Sequence, residues 1–512
     1  MYRFYETLPG ILAWGTIALI VLFSWLFPIE TAVFIILFDT YWLLKTIYLS
    51  LHLRITFNTM RKNLRINWLD KLQQGANREA QSVDDTRSAI SGWQDVYHLI
   101  ILPLYKEPYE VVKESLDSLR KVNYPQDKLI IVLSAEERAG EEPQKILEKI
   151  DAEFKDKFPK LITTTHPANR AGEIPGKSSN ITWAAKIAIE FVIDPQKIPY
   201  EKVLVSPFDV DTQVLPEYFG NLTYHFLTCE YPQRSIFQPI PLFINNIYQA
   251  PALARVISFS SSFWHMIQQA RPHRLTSFST QAISLKPLAE VGFWRLDIVS
   301  EDSHIFWQCY NHFDGDWRVV PTNYPVSMDA NVAPTFWQTM RNQYKQQQRW
   351  AWGGCENIPF ILWSFGRNKK IPTSRKWYWG FNYIEGFHSW ATNVIIIFTL
   401  GWLPILIGGP AFRLTLLSYS LPKITSYIMD AAMIGVVSSA ILSMILLPPK
   451  PVWFKKWHYV LYIIQWILMP ITLIIFGAFP ALDAQTRGIL GGKYKLGFWV
   501  TPKHRTSQSG NS

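Results

Sequence analysis

The segment QQQRW at 346–350 combines residue types that could bind an anion and a sugar ring together. In a helix, Gln346, Arg349 and Trp350 stand at positions i, i+3 and i+4, so the three share one face. The guanidinium can bind a phosphate group, the amide can donate to the same group, and the indole can stack on a pyranose. The alternative is an amphipathic helix at a membrane interface, with its tryptophans in the headgroup layer.

The segment FDVDT places two carboxylates after the apolar run KVLVSP, which predicts a strand. Ligands of open α/β sheets bind at the carboxyl ends of the strands. Asp209 and Asp211 are two residues apart, so in extended chain they point the same way and can hold Mg²⁺ or Mn²⁺ against a diphosphate. A polar turn that closes the strand is the alternative.

The segment IPGKSSN places Lys177 and Asn180 one helical turn apart at the start of a predicted helix. A lysine and a helix N-terminus both attract phosphate. The longer segment AGEIPGKSS also approaches the phosphate loop GxxxxGK[ST], although Ala171 stands where that pattern requires its first glycine. A membrane-anchored ATPase with a P-loop-like segment therefore remains an alternative.

The segment SEDSHIFW places two acids at the predicted start of another helix. Glu301 and Asp302 follow Ser300, where acids commonly favour the helix dipole, and this is the structural alternative. The functional interpretation is that Asp302 accepts a proton as a general base, which requires a nearby hydroxyl and a pKa near the working pH.

The composition predicts a membrane protein with more than one structural unit. The chain has 512 residues, 48% of them hydrophobic, and its 22 tryptophans and 23 tyrosines suit membrane interfaces. The three cysteines, at 229, 309 and 355, show no metal-ligand spacing and argue against a disulfide framework. The net charge of +10 alone does not choose between nucleic acid, anionic lipid and phosphate partners, but its distribution along the chain does.

Apolar segments flank a central region in which short apolar runs alternate with helical patterns. The central runs, VYHLIILPLY, KLIIVLS, KLITTT and KVLVSPFD, predict a mostly parallel α/β sheet. Stretches near the ~20 residues that cross a bilayer predict five spans. These are 10–27, 31–51, 387–409, 424–447 and 457–480. The predicted units are an N-terminal transmembrane hairpin (1–55), a linker or surface arm (56–94), the α/β domain (95–355), interfacial helices (356–386), C-terminal transmembrane helices (387–485) and a basic tail (486–512).

Basic residues lie in three loops beside the predicted spans, which by the positive-inside rule places these loops and the α/β domain in the cytoplasm. Five spans would send the basic tail to the opposite side, against the same rule. The residues are Arg54, Arg61, Lys62 and Arg65, then Arg367, Lys369, Lys370, Arg375 and Lys376, then Lys450, Lys455 and Lys456.

The order of these segments resembles that of a membrane-integrated family 2 glycosyltransferase, similar to the cellulose, hyaluronan and poly-N-acetylglucosamine synthases. The matching segments are LPLYKEPYEVVKESLDSLRKVNYP, GKSSN, FDVDT, QPIP, SEDSHIFW, QQQRW and the terminal VTPK. The resemblance covers about 95–355 by motif and the rest by arrangement. It implies a glycosyltransferase A-type, nucleotide-sugar-binding α/β domain in the cytoplasm, inserted between transmembrane helices.

The resemblance also implies a role for each matched residue. Asp302 is the catalytic base, and Trp350 and Glu301 lie at the acceptor. Asp209 and Asp211 hold the metal, Mg²⁺ or Mn²⁺. The donor nucleotide sugar, a UDP-sugar, is bound by Lys177, Asn180, Asp209, Gln346, Arg349 and Glu136.

Two segments depart from the family pattern. Where the family has an Asp-Asp-Gly-Ser type of turn, the sequence LSAEER offers Glu136 and Glu137, so the identity of the nucleotide is open. Ser300 replaces the threonine of the family's Thr-Glu-Asp motif.

The expected activity is that of an inverting, metal-dependent hexosyltransferase in polysaccharide biosynthesis. It acts processively on a growing glycan, in the plasma (inner) membrane, with the lipid bilayer as a partner and without nucleic acid. A non-processive enzyme with a lipid-linked acceptor, the ATPase, and a non-catalytic membrane protein that binds a glycan or a cyclic nucleotide are the alternatives.

Overall fold

The computed structural model describes residues 1–75, 90 and 92–505. Residues 76–89 and 91 of the predicted linker, and 506–512 of the tail, lie outside the described residues. The strands are β1 Tyr97–Leu104, β2 Leu129–Glu136, β3 Leu161–His166, β4 Val203–Pro207, β5 Gln213–Val214, β6 Ser235–Phe243, β7 Ala282–Ser284 and β8 Arg318–Met328. The helices are α1 Tyr2–Leu26, α2 Pro28–Asn63, α3 Trp68–Gln73, α4 Tyr109–Arg120, α5 Glu141–Phe154, α6 Lys177–Ala188, α7 Tyr218–Thr228, α8 Ala252–Gln269, α9 Leu285–Glu290, α10 Glu301–His312, α11 Phe336–Arg367, α12 Thr373–Phe398, α13 Leu403–Ile407, α14 Gly409–Arg413, α15 Leu416–Ile445, α16 Lys456–Ile464, α17 Met469–Leu473 and α18 Phe479–Leu490.

The eight described strands form one mixed sheet in the order β3-β2-β1-β4-β7-β6-β8-β5. The four strands predicted from apolar runs, β1 to β4, are confirmed and pair in parallel. β7 pairs antiparallel with both β4 and β6, and β5 pairs antiparallel with β8. β6 and β8 also pair in parallel, so four of the seven described strand pairs are parallel and the expectation of a mostly parallel sheet is confirmed, with β5 and β7 as short antiparallel strands.

Helices cover both faces of the parallel half of the sheet, which explains why its central strands are apolar throughout. Along β1, Ile100, Leu102 and Leu104 pack into one buried cluster, which includes α4 and α7. The alternate residues Leu99 and Ile101 pack into a second cluster, which includes α6 and α10. The period of two places neighbouring side chains on opposite faces. The loops after β1, β2 and β4 therefore meet at one sheet edge.

Four helical segments are long and apolar enough to cross a membrane, and the pair α12 and α13, bent by 45°, makes up to five. The four are Tyr2–Leu26, Pro28–Asn63, Leu416–Ile445 and Lys456–Leu490. The helix bounds differ from the predicted segments. The predicted boundary at 55 lies inside α2, and the boundary at 355 lies inside α11, so neither boundary coincides with the end of a helix.

Contacts show on which side of these helices each terminus lies. The N-terminal Arg3 donates to the carbonyl of Gly488 at 2.9 Å, and the ring of Tyr2 lies 6.0 Å from Trp363 of α11. At the other end of the last segment, Tyr462 packs against Tyr248 of the α/β domain. Both ends of Lys456–Leu490 therefore lie on the side of the α/β domain.

The basic tail also lies on that side, because Lys503 donates to Asp211 at 2.6 Å. The sequence leaves the side of the tail open, and this contact places the tail beside the α/β domain. The helix α12 leads away from the domain to Ile396, which packs with Ile20, and α15 leads back to Ala440, which packs with Phe57.

Candidate active site

The segment after β4 is a turn rather than extended chain, because the amide of Thr212 donates to the carbonyl of Asp209 at 2.9 Å. The premise that Asp209 and Asp211 point the same way from an extended strand is therefore wrong. Asp209 accepts from Ser279 at 2.8 Å and pairs with Lys177, whereas Asp211 accepts from the amide of Asp329 at 2.8 Å and from Lys503. The two carboxylates thus bind different partners.

Lys177 joins three segments at the first turn of α6. Its ammonium lies 2.5 Å from Asp209 and 3.6 Å from Glu301. Burial by itself would lower the pKa of Lys177, but these carboxylates raise it above its ordinary value, so the residue stays charged. Burial opposes the charge of Asp209 as well, yet Lys177 and Lys503 hold its pKa below the usual range.

Asn180 connects α6 to the end of β2. Its amide nitrogen donates to the carbonyl of Ser134 at 2.8 Å, and the side chain is fully buried. Among the described residues its Oδ1 atom has no hydrogen-bond partner. The residue therefore positions the first turn of α6 and leaves one acceptor available.

Glu301 and Asp302 begin α10 and lie in a poorly solvated site. Burial raises the pKa of Glu301 to about 7, Lys177 opposes this shift, and the charge of Asp302 adds to it. Burial also raises the pKa of Asp302, against the nearby charges of Lys177 and Arg349. The backbone carbonyl of Asp302 accepts from Ser277 at 2.6 Å. A carboxylate in these surroundings can act as a base near neutral pH.

The position of α10 depends on Glu356 of α11, which sequence reasoning missed. Its carboxylate accepts from the amides of Val299 at 3.0 Å and Ser300 at 2.9 Å, and from the indole of Trp352 at 3.0 Å. It also accepts from the hydroxyl of Ser300. No local pattern predicts the contacts with Val299 and Ser300, because these residues are 57 and 56 positions away from Glu356.

The helix α11 carries the predicted QQQRW face to the site. The positive charge of Arg349 lowers the pKa of both Glu301 and Asp302, against the effect of burial. The Nε atom of Arg349 is buried and has no hydrogen-bond partner among the described residues. The ring of Trp350 lies 5.9 Å from that of Phe243, at the end of β6. Gln346 accepts from Gln343 at 3.3 Å. The segment QQQRW lies within α11, so Gln346, Arg349 and Trp350 do stand on a helix.

Asp329 and the tail form a second charged group beside Asp211. Arg505 donates to Asp329 at 2.6 Å and pairs with Glu114 at 2.7 Å. Burial, together with the charge of Asp211, raises the pKa of Asp329 to about 6. Sequence reasoning noted the VTPK segment but assigned Lys503 no role, and it gave no signal for Asp329.

Glu136 lies at the same sheet edge but apart from the charged group. It ends β2, is 4% exposed and pairs with Arg138. No described hydrogen bond or ion pair of Glu136 reaches Lys177, Asp209 or Asp302, and two strand spacings of ~4.8 Å separate β2 from β4.

Two small spaces lie beside these side chains. One is lined by residues that include Lys177, Phe278, Ser279 and Asp302. The other has a lining that includes Phe243, Asp329, Asn331, Gln346 and Trp350. The first space is thus lined by charged groups of α6 and α10, and the second by residues of the QQQRW face.

The carboxylates of Asp209 and Asp211 are the candidate ligands for a divalent cation. The Oδ1 atom of Asp211 is buried and has no partner among the described residues, while the ammonium of Lys503 occupies the other oxygen. No group of three or more His, Cys, Asp or Glu side chains that could hold a metal occurs in the described part of the chain. Mg²⁺ commonly needs only one or two carboxylates together with substrate phosphates, so the residues present fit such an ion.

No family model matches the chain, and no curated protein matches it. Three solved structures are similar to it at low identity. The mannosyltransferase PcManGT from Pyrobaculum calidifontis, in complex with GDP-Man and Mn²⁺, is 14% identical, with a TM-score of 0.41, over 76% of this chain and 99% of that one. TarS of S. aureus is 14% identical, with a TM-score of 0.34, over 66% of this chain and 54% of that one. TarS 1-349 in complex with UDP-GlcNAc is 13% identical, with a TM-score of 0.35, over 68% and 90%.

The first of these neighbours is a mannosyltransferase, but the TM-scores of all three are too low to define the fold or the function of this chain. What its own structure defines is the class: a mixed α/β domain joined to helices that are long and apolar enough to cross a membrane.

Replacing Lys177 by methionine should destabilise the protein by about 3 kcal/mol, because it leaves the buried Glu301 and the partly buried Asp209 without their cation. Thermal unfolding in detergent, followed at several pH values, measures this change. The loss should shrink as the pH falls, since the carboxylates then bind protons.

Lys186→Met, on the exposed part of the same helix, is the matched control and should unfold like the parent. An equal loss in both variants, or a loss that is independent of pH, would contradict the role of Lys177.

Proposed function

We propose that the chain is an inverting, metal-dependent hexosyltransferase that moves a sugar from a nucleotide donor to an acceptor at the membrane. The observation that supports this most strongly is the grouping of three carboxylates around Lys177 at the carboxyl edge of the sheet. Glu301 and Asp302 line the same space as Lys177, and Asp209 lies 2.5 Å from its ammonium. The units proposed from the sequence then act as a glycosyltransferase A-type domain between membrane helices.

The donor diphosphate binds between two cationic groups and the metal-binding carboxylates. Lys177 and Arg349 approach the site from α6 and α11, and both attract phosphate. Asp209 and Asp211 would hold Mg²⁺ or Mn²⁺, which supplies positive charge to the leaving diphosphate. Asn180 contributes its free amide oxygen to the nucleotide, Gln346 contributes its amide, and Glu136 would contact the base of a UDP-sugar.

The reaction needs a base, a held acceptor and a stabilised leaving group. The acceptor hydroxyl forms a bond to the anomeric carbon from the face opposite the nucleotide, and the bond from that carbon to the diphosphate oxygen breaks. The hydroxyl proton passes to Asp302, and the nucleoside diphosphate leaves with the bonding electrons. Lys177 and Arg349 stabilise the developing charge, Trp350 stacks on the acceptor sugar, and Glu301 orients it.

The glycan leaves through a site bordered by membrane helices, which supports processive synthesis of a polysaccharide. The alternative acceptor, a single lipid-linked sugar without processivity, uses the same base. Because the N-terminus, the basic loops and the tail lie on one side with the α/β domain, the positive-inside rule supports a cytoplasmic site in the plasma (inner) membrane.

Asp302→Asn should reduce the rate of sugar transfer by ~10²- to 10⁴-fold while donor binding persists, because only the proton acceptor is lost. The measurement incubates the detergent-solubilised protein with radiolabelled nucleotide sugars and Mn²⁺, then separates lipid-bound from polymeric product. Asp297→Asn, an exposed acid five residues earlier in the chain, is the control and should transfer normally.

Transfer by Asp302→Asn at the parent rate would refute the assignment of the base. ATP hydrolysis that depends on Lys177 and not on Asp302 would support the ATPase instead.

The rate of transfer should rise with pH through about 7, since the buried pair Glu301 and Asp302 must lose a proton before Asp302 can accept one. Glu301→Gln removes one of two acids that raise each other's pKa, so the rising limb should move to lower pH. The pH dependence of kcat measures both effects, with the distant Glu290→Gln as the control. An unchanged limb in Glu301→Gln would contradict the coupling.

Lys503→Gln should tighten Mn²⁺ binding, because the ammonium at Asp211 opposes a cation there. Calorimetric titration of the full chain with Mn²⁺ measures the change, which should be about tenfold. Lys495→Gln removes a tail lysine that pairs instead with Glu6 at 2.7 Å, and it should bind Mn²⁺ like the parent. Weaker binding in Lys503→Gln would contradict the proposed metal site.

A further inference from the structure

A second group of charges lies where α2 and α12 meet the loop after α8, away from the metal-binding carboxylates. Lys45 of α2 pairs with Glu385 of α12 at 2.9 Å, and Arg274 of the loop pairs with the other oxygen of Glu385 at 3.6 Å. Arg271 lies at the start of the same loop, and its positive charge is attracted by the negative charge of Glu385. These three cations, with the one acid, form what we call the basic rim.

Positive charge exceeds negative charge in the basic rim. Lys45, Arg271 and Arg274 face the single carboxylate of Glu385, which leaves two positive charges in excess. Arg271 is 7% exposed, and among the described residues its Nε atom has no hydrogen-bond partner, while Nη2 donates to Gln268 at 2.7 Å. A buried guanidinium nitrogen without a hydrogen-bond acceptor destabilises the protein. A negatively charged acceptor bound at the rim would remove this cost.

Exposed aromatic side chains surround the basic rim. Trp377 is 76% exposed and Phe381 is 68% exposed, both on the first turns of α12, and the hydroxyl of Tyr378 donates to the carbonyl of His273 in the loop. The cation of Lys45 lies 4.1 Å from the ring of Trp42 on α2. Aromatic rings of this kind mark the headgroup layer of a membrane. The rim is thus placed at the lipid surface.

The loop that carries the arginines continues directly into the candidate active site. Ser277 donates to the carbonyl of Asp302, and Ser279 donates to the carboxylate of Asp209. Three residues of chain span at most ~11 Å, which limits the distance between the backbones of Arg274 and Ser277. One short stretch of chain therefore joins the rim to the residues that contact Asp302 and Asp209.

A run of aromatic rings connects the same two places. The ring of Phe243 lies 5.9 Å from Trp350 and 6.0 Å from His265, whose ring lies 4.7 Å from Phe278. Phe278 in turn lies 5.3 Å from Trp264, which is 48% exposed. Flat rings in sequence offer stacking surfaces for a sugar or an apolar chain between the site and the membrane.

We propose that the acceptor is carried on a lipid with a phosphate head group, and that Arg271, Arg274 and Lys45 hold this phosphate at the basic rim. The inference rests on the proposed transferase function and names the class of its acceptor. Arginine forks match the oxygens of a phosphate, and the two excess charges match a phosphomonoester. The phosphomonoester anchors the lipid, and a hydroxyl that the same lipid carries at a separate position, on its acceptor sugar, forms the bond to the anomeric carbon while Asp302 takes its proton.

A binding experiment tests the rim with the full chain in phosphatidylcholine nanodiscs. Phosphatidic acid is the phosphomonoester probe, phosphatidylglycerol is the anionic phosphodiester control, and inorganic phosphate is the soluble competitor. The parent should bind labelled phosphatidic acid selectively, and Arg274→Gln should weaken this binding about tenfold. Arg274→Lys keeps the charge but loses the fork, so it should bind with intermediate affinity, and it serves if Arg274→Gln unfolds.

Arg54→Gln is the matched control, because it removes an exposed cation further along α2 and should leave lipid binding unchanged. Equal weakening in Arg54→Gln, or equal binding of phosphatidylglycerol, would show general attraction to anionic lipid and overturn the proposal. Displacement of the lipid by inorganic phosphate at comparable concentration would overturn the choice of a lipid. Donor binding, measured in parallel, should be unchanged in Arg274→Gln, whereas its absence in the parent would refute the transferase function instead.

Discussion

The candidate site depends on one buried ammonium between two carboxylates. Lys177 lies 2.5 Å from Asp209 and 3.6 Å from Glu301, in surroundings where an unpaired charge is costly. This pairing holds α6, the turn after β4 and the start of α10 together. With Asp302 and Arg349 included, three acids face two cations, so the site without ligands retains an excess of negative charge. A diphosphate must therefore arrive with a cation or with the acids partly protonated.

The helix α11 makes this arrangement possible, because it is the element that contacts the site from the membrane side. Its Glu356 accepts from the backbone amides that precede α10, so the base is positioned by a residue that does not belong to the charged group. At Gly354 a Cβ atom would lie 2.5 Å from the ring of Phe387, so only glycine lets α12 approach this closely. Gly354, in the segment after QQQRWAW, therefore serves packing between two helices.

Local patterns in the sequence predicted β1 to β4 and the segments that reach the site, because strand periodicity and motif spacing depend on near neighbours. The turn at Asp209 was predicted as extended chain, since DVDT fits both conformations and only the amide of Thr212 decides between them. Asp329, Glu356 and the contacts of Lys503 were missed, because each depends on pairing across tens to hundreds of residues. The antiparallel β7 has only three residues and carries no periodic signal.

The membrane topology and the site depend on each other through the tail. The pair between Lys503 and Asp211 requires an even number of crossings between the α/β domain and the tail, since a charged tail does not reach a carboxylate through lipid. Lys456–Leu490 is long and apolar enough to cross a membrane, yet contacts at both of its ends lie on the side of the α/β domain. In the same segment Asp483 accepts from Tyr344 at 3.3 Å, one helical turn before Gln348. An acid in an otherwise apolar segment thus contacts the helix that carries Arg349 and Trp350, which places this segment beside the site.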